Sequence, residues 1–174
     1  EIRLSLVGSE MCIRDSPHYA TADCADFQIA HANRVMNDPI YKGYAEWGRG
    51  LAKSVWNDVI IPLWLWINGE THYMCIVSDT FDRACDLLED LRAEFEANEL
   101  LKHDFGEQYN PGYWEKGNFV TMNGFICKAF GAKQKVRGLR KGAHRPDLWI
   151  IDDLETPQTI KNNRMQDDYA DWIE

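Results

Sequence analysis

Trp47-Gly48-Arg49-Gly50-Leu51-Ala52-Lys53-Ser54 is a glycine-bearing loop that ends in Lys-Ser and runs directly into an apolar segment of helical length. Such a loop turns backbone N–H groups toward an anion at a helix N-terminus, where the helix dipole favours negative charge. In this reading residues Gly48 to Ser54 cradle phosphates, Lys53 reaches the β- and γ-phosphates and Ser54 holds Mg²⁺. The common pattern is G-x-x-x-x-G-K-[ST], and here Trp47 and Ala52 stand where its two glycines belong. An ordinary Gly-rich turn before a buried helix is the competing reading of the loop alone.

A second stretch bears on that choice. Arg145-Pro146-Asp147-Leu148-Trp149-Ile150-Ile151-Asp152-Asp153-Leu154-Glu155 lies about a hundred residues downstream and sets four apolar residues before a group of acids. That is the form of a buried parallel strand that delivers carboxylates to the carboxyl edge of a sheet, where open α/β sheets bind their ligands. One carboxylate there can hold Mg²⁺ through its water shell, and a neighbouring one can orient the water that attacks a γ-phosphate. Alternatively, the acids open the next helix, whose dipole they suit. The two stretches together, in this order, point to a nucleoside triphosphatase.

The net charge of −9 argues against a protein that coats nucleic acid with its whole surface, while leaving room for a local basic site. Cys24, Cys75, Cys85 and Cys127 have neither C-x-x-C spacing nor neighbouring histidines, which argues against zinc and against a disulfide framework. The longest apolar run, Val59 to Ile67, contains Pro62 and falls far short of the roughly 20 residues of a membrane span. No membrane association is expected. At the start of the chain, Leu6-Val7-Gly8-Ser9-Glu10-Met11-Cys12-Ile13-Arg14-Asp15 resembles the translated adapter of a sequencing library, and residues 1–16 are read as a non-native artefact. The competing secretory signal would need a sustained apolar core without Glu10 and Asp15. At the other end, the chain stops inside an amphipathic helix, so residues 17–174 are read as a partial domain.

Between these landmarks the periodicity alternates between strand and helix. From Pro17 to Ala45 the pattern is that of a soft helix, with Phe27, Ile29, Ala30, Ala32, Val35 and Met36 on one side and Asp26 as a possible cap, and Phe27-Gln28 offers either an adenine contact or a core phenylalanine beside a solvated glutamine. Tyr44 and Trp47 are further candidates for stacking on a base. Ser54 to Trp66 is a buried helix that Pro62 should kink or shorten, Thr71 to Ser78 a strand, and Thr80 to Asn98 an amphipathic helix. Residues 102–117 read as a loop, and Asn118 to Met122 and Phe125 to Phe130 as strands joined by Asn123-Gly124 in a two-residue type I′ turn. The segment Gly131 to Arg145 carries most of the local positive charge. Three roles compete for it: a solvated loop, a DNA-backbone contact, or a source of arginine for a neighbouring subunit's γ-phosphate.

On four stretches the chain resembles the N-terminal ATPase domain of the tailed-bacteriophage terminase large subunit: Gly48 to Ser54, Ile76-Val77-Ser78-Asp79-Thr80, Val136-Arg137-Gly138-Leu139-Arg140, and Arg145 to Glu155. The resemblance implies an α/β P-loop NTPase of the RecA-like (ASCE) type, a three-layer sandwich with a mostly parallel central sheet, truncated at the C-terminus. It implies ATP and Mg²⁺ as cofactors, Arg49 as a γ-phosphate sensor, Asp152 as the metal-binding acid, and Asp153 as the catalytic carboxylate with Glu155 as the alternative. The implied work is translocation of double-stranded DNA into a capsid, without the family's nuclease activity. A ring of large subunits, a portal protein and a small terminase subunit are the implied partners, in the host cytoplasm. A helicase-like ATPase and a non-catalytic nucleotide-binding module are the rival readings. Nuclease-like acids or helicase motifs downstream would separate the first of these, and loss of turnover the second.

Overall fold

The computed structural model describes residues 24–154 and 161–173, so the artefact reading of residues 1–16 and the role offered to Glu155 lie outside the described residues. Helix α1 spans Asp26–Asn37. Its cap is Ala25 rather than Asp26: the Gln28 N–H donates to the Ala25 carbonyl, and the Ala25 N–H donates to Gln28 Oε1 at 2.9 Å.

Helix α2 follows the loop in two parts, Val55–Ile60 with π-type hydrogen bonding and Ile61–Ile67 with α-type bonding. Pro62 explains the division, because it has no N–H to donate and its ring crowds the carbonyl of the fourth residue back, Asp58. The wider π turn, in which the Ile61 N–H reaches the Trp56 carbonyl, takes up that break, and the chain stays helical through Pro62.

Strand β1, Tyr73–Ser78, is buried along its whole length. Helix α3, Phe81–Ala97, is capped by Thr80, whose hydroxyl accepts from the Arg83 N–H at 3.2 Å, and it buries Ala84, Cys85, Leu88, Leu91 and Phe95 on its sheet-facing side. The loop expected over residues 102–117 is corrected at both ends. Asn98 ends α3 and caps a second helix, α4, Glu99–Phe105, accepting from the N–H groups of Leu100 and Leu101; a short strand, β2, occupies Trp114–Glu115. Leu101 and Gln108 are buried, and the Gln108 amide bonds the carbonyls of Phe105 and Gly106.

Strands β3, Asn118–Val120, and β4, Ile126–Gly131, form the expected hairpin with a different turn. The Gly124 N–H bonds the Thr121 carbonyl, the Phe125 N–H bonds Thr121 Oγ1, and Gly124 alone of the Asn-Gly pair has positive φ, so the turn is not type I′. Strand β5, Leu148–Ile151, and helix α5, Asn163–Ile173, complete the described chain.

The strand order is β2-β3-β4-β1-β5. β1 pairs in parallel with β4 and with β5, whereas β3 pairs antiparallel with β4, and β2 antiparallel with β3. The expected RecA-like, three-layer P-loop sandwich with a mostly parallel sheet is therefore corrected to a five-stranded mixed sheet in which two of the four pairings are antiparallel. The physical reason is the hairpin: its short turn returns β3 beside β4, and β2 extends that edge by a second reversal.

One face of the sheet packs Met74, Ile76, Cys127 and Ala129 against α2 and α3. Tyr73, Cys75, Val77, Ile126 and Phe130 form the other face, where Val136, Leu139, Leu154 and Trp172 lie against them. Asp147 sets the register at the start of β5, accepting from Thr71 Oγ1 at 2.7 Å and from the backbone N–H groups of His72 and Tyr73 at 2.9 Å each.

Candidate functional site

The parallel core brings the ends of two remote segments together. Asp152 leaves β5 with its N–H bonded to the Val77 carbonyl of β1, which holds its carboxylate at the carboxyl edge of the sheet, only 5% exposed. Lys53 and Ser54 face it from the start of α2. Lys53 Nζ donates to Asp152 Oδ1 in a close ion pair, and Ser54 Oγ donates to Asp152 Oδ2 at 2.8 Å. Burial by itself would lower the Lys53 pKa; the hydrogen bond and charge of Asp152, joined by the charges of Asp153 and Asp58, outweigh it and hold the ammonium above its ordinary value.

The loop before Lys53 is braced from α1. Its turn closes with the Leu51 N–H on the Gly48 carbonyl, and Gln28 Nε2 donates to the Leu51 carbonyl at 3.1 Å. Asn57 Nδ2 donates to the Lys53 carbonyl at 2.9 Å, while Asn57 Oδ1 meets His31 Nε2 at 2.8 Å. Gly50 and Ala52 both have positive φ, 82° and 59°. The second glycine of the common pattern thus corresponds here to a residue that does adopt a glycine-like backbone, although it is alanine.

Beside the loop lies an open cavity of about 520 Å³, whose lining includes Phe27, His31, Arg34, Tyr44, Trp47 and Leu51. Phe27 sets its ring edge-to-face on Trp47 at 5.0 Å and is 40% exposed, so it is not a core residue. The Gln28 amide has both ends engaged, at the Ala25 N–H and the Leu51 carbonyl, and serves the loop rather than a base edge. Tyr44 is 87% exposed at the cavity.

The remaining expected site residues are less tightly gathered. Arg49 is exposed on the loop. Asp153 has φ 50° and turns to Arg83 of α3, whose Nη2 meets its Oδ2 at 3.2 Å in a half-exposed pair. In the basic segment, Lys133 pairs with Asp168 at 3.6 Å and lies over the Tyr169 ring, Lys141 lies over Tyr113, and Lys135, Arg137 and Arg145 are exposed.

One acid at the site went unread in the sequence. Asp58, in the π-type part of α2, is 2% exposed, and neither carboxylate oxygen has a hydrogen-bond partner among the described residues. Burial, reinforced by the charge of Asp152 and only partly offset by Lys53, pushes its pKa up to about 8. The available signal was Asn57-Asp58, a polar pair inside the otherwise apolar run from Val55 to Ile67.

Among the described residues there is no cluster of three or more His, Cys, Asp or Glu side chains suited to a metal ion. That leaves the donor set of one hydroxyl and one carboxylate on Ser54 and Asp152, which suits a hard cation that keeps several waters and takes its other oxygens from a phosphate. Among the described residues no helix is long and apolar enough to cross a membrane. Compared with protein-family models, curated proteins and solved structures, the chain gives no match.

Proposed function

We propose that this chain binds ATP with Mg²⁺ and hydrolyses it, and that it does so as the motor domain of a terminase-like DNA-packaging ATPase. The observation that carries the reading is the meeting of Lys53 and Ser54, at the head of α2, with the buried carboxylate of Asp152 at the sheet edge. A lysine, a hydroxyl and an acid so arranged are what a triphosphate and its cation need, and the ion pair keeps the lysine in place until an anion competes for it.

Ser54 and Asp152 would hold Mg²⁺, which when bound neutralises charge on the phosphate oxygens. Lys53 would pass from Asp152 to the β- and γ-phosphates, and Arg49, exposed on the loop, is available to the γ-phosphate. The cavity lined by Phe27, Tyr44 and Trp47 offers aromatic surface to the base. An acid beside Asp152 would orient the attacking water so that a new P–O bond forms as the β–γ bridge breaks; Asp153 holds that place by position and Glu155 is the alternative. Translocation of double-stranded DNA, and assembly with further copies, a portal and a small subunit, extend the proposal on the strength of the sequence resemblance.

Lys53→Ala is the direct test. A charge-assisted contact contributes about 1.5–3 kcal/mol, so the variant is expected to bind ATP about ten- to a hundredfold more weakly and to release no phosphate, with its circular dichroism unchanged. Unaltered ATP affinity would sink the phosphate-site reading. Binding by the parent protein without turnover would instead favour a nucleotide-sensing module, a reading for which the Arg83–Asp153 pair gives a physical reason by holding that acid aside.

A further inference from the structure

Ala52 holds a left-handed backbone that alanine keeps only where its surroundings enforce it, and the carbonyls on either side of it are both held. The Leu51 carbonyl accepts from Gln28 Nε2 at 3.1 Å and the Lys53 carbonyl from Asn57 Nδ2 at 2.9 Å. A carbonyl only accepts, so the Asn57 amide is fixed with its nitrogen toward Lys53, and its oxygen is left as an acceptor for His31. The 2.8 Å contact between the two side chains is therefore the Nε2–H of His31 donating to Asn57 Oδ1. His31 lines the open cavity beside the loop, with its ring edge-to-face on Trp47 at 5.4 Å and on Tyr41 at 6.1 Å, whereas Asn57 is not part of that lining. Two hydrogen bonds thus run from a cavity wall to the backbone of the lysine that meets Asp152. A simple brace would need only a donor. Here the donor is also a wall of the cavity, so whatever fills the cavity bears on the loop.

We propose that His31, acting through Asn57, is a positioning residue that couples the cavity to Lys53, so that a base seated in the cavity tightens the hold on the triphosphate attached to it. The inference rests on the reading of Lys53, Ser54 and Asp152 as a phosphate site and of the cavity as the place of the base. With no base against it, the His31 ring is free to turn, and its bond to Asn57 is made only part of the time. A base packed on the His31 and Trp47 rings restricts that rotation and keeps the bond made. The Lys53 backbone is then fixed before its side chain takes the phosphates, and the ordering cost of binding them is lower.

The experiment measures the affinity of the full chain for ATP and for inorganic tripolyphosphate, both in saturating Mg²⁺, and so separates the base from the phosphates. Asn57→Ala leaves the cavity lining untouched, yet it should weaken ATP binding about two- to tenfold more than tripolyphosphate binding, the scale of one neutral hydrogen bond. His31→Phe keeps a ring in the wall without the donor and should show the same selective loss. Because the two side chains act in one relay, the double variant should be no more selective in its loss than either single one. Equal losses for both ligands would reveal a structural brace, and they overturn the proposal, as do unchanged affinities or selective losses that add in the double variant; in each case the phosphate site stands. The wild type supplies a test that needs no variant to fold: adenosine in excess should tighten tripolyphosphate binding by the same factor, and an unchanged affinity overturns the coupling. Failure of tripolyphosphate to bind the wild type saturably overturns the phosphate reading and this inference with it.

Discussion

Ala52 stands at φ 59°, immediately before the lysine of the loop. A left-handed alanine costs roughly 1–2 kcal/mol, whereas glycine accepts the conformation and gives back about 0.4–1 kcal/mol through its freer unfolded chain. Ala52→Gly should therefore leave the protein as stable as before or more stable by up to about 1.6 kcal/mol. Urea unfolding at neutral pH measures it, and a clear loss of stability would mean that the loop does not hold this backbone. The position was legible in the sequence because the spacing to Lys53-Ser54 fixes where the turn must reverse. Asp58 was not legible: a single acid in an apolar run carries no period, and only the assembled fold shows that neither of its oxygens has a hydrogen-bond partner among the described residues. Asp153 was read by its place after the strand, but its direction depends on Arg83, seventy residues away.

At the level of elements, the end of β4 and the head of α3 approach closely at Gly131. A Cβ on Gly131 would lie 2.7 Å from the Phe81 nitrogen and 3.2 Å from the Thr80 carbonyl carbon, and neither is the movable end of a side chain. Gly131 does not have positive φ, so alanine there is a steric change and little else. Gly131→Ala should push the head of α3 off the strand and cost about 1–3 kcal/mol, read as a lower urea midpoint with an unchanged slope. An unchanged midpoint would show that the strand end and the helix cap separate freely. Helix α3 could be read from its spacing because Phe81, Ala84, Cys85, Leu88, Leu91 and Phe95 repeat at three- and four-residue steps. Helix α4 could not, since its seven residues cover only about two helical periods and its start depends on Asn98 serving two helices at once. The hairpin was legible, but its turn was not, because Thr121 supplies a side-chain bond that takes the place of the Asn-Gly geometry.

For the whole molecule, β1, β3, β4 and β5 could be found in the sequence, but β2 could not, and neither could the order and sense of the strands. β3 lies on the edge of β4 away from β1, where the Phe95 ring of α3 meets those of Phe119 and Phe125, contacts that no local pattern encodes. Global stability should carry the mark of Asp58. Its folded pKa is raised from 3.8 to about 8, so the native state binds this proton more tightly than the unfolded chain does. The resulting stabilisation is complete below about pH 4 and is lost as pH rises toward 8, by at most about 1.4 kcal/mol per pH unit. Unfolding free energies of wild type and Asp58→Asn should diverge between pH 5 and pH 8, the wild type losing more; parallel curves would show that the buried acid does not titrate in this window. The meeting of Lys53 with Asp152 joins positions 99 residues apart, across a central strand that must already be paired on its β5 side. Any partly folded chain that lacks β5 therefore has no complete site, and a ligand gripping both halves is bound only by the finished molecule. At a hundred times its dissociation constant such a ligand adds about 2.7 kcal/mol to the apparent stability of every element, including those it never touches. Occupancy of this one edge would then act as a fastener for the entire sheet.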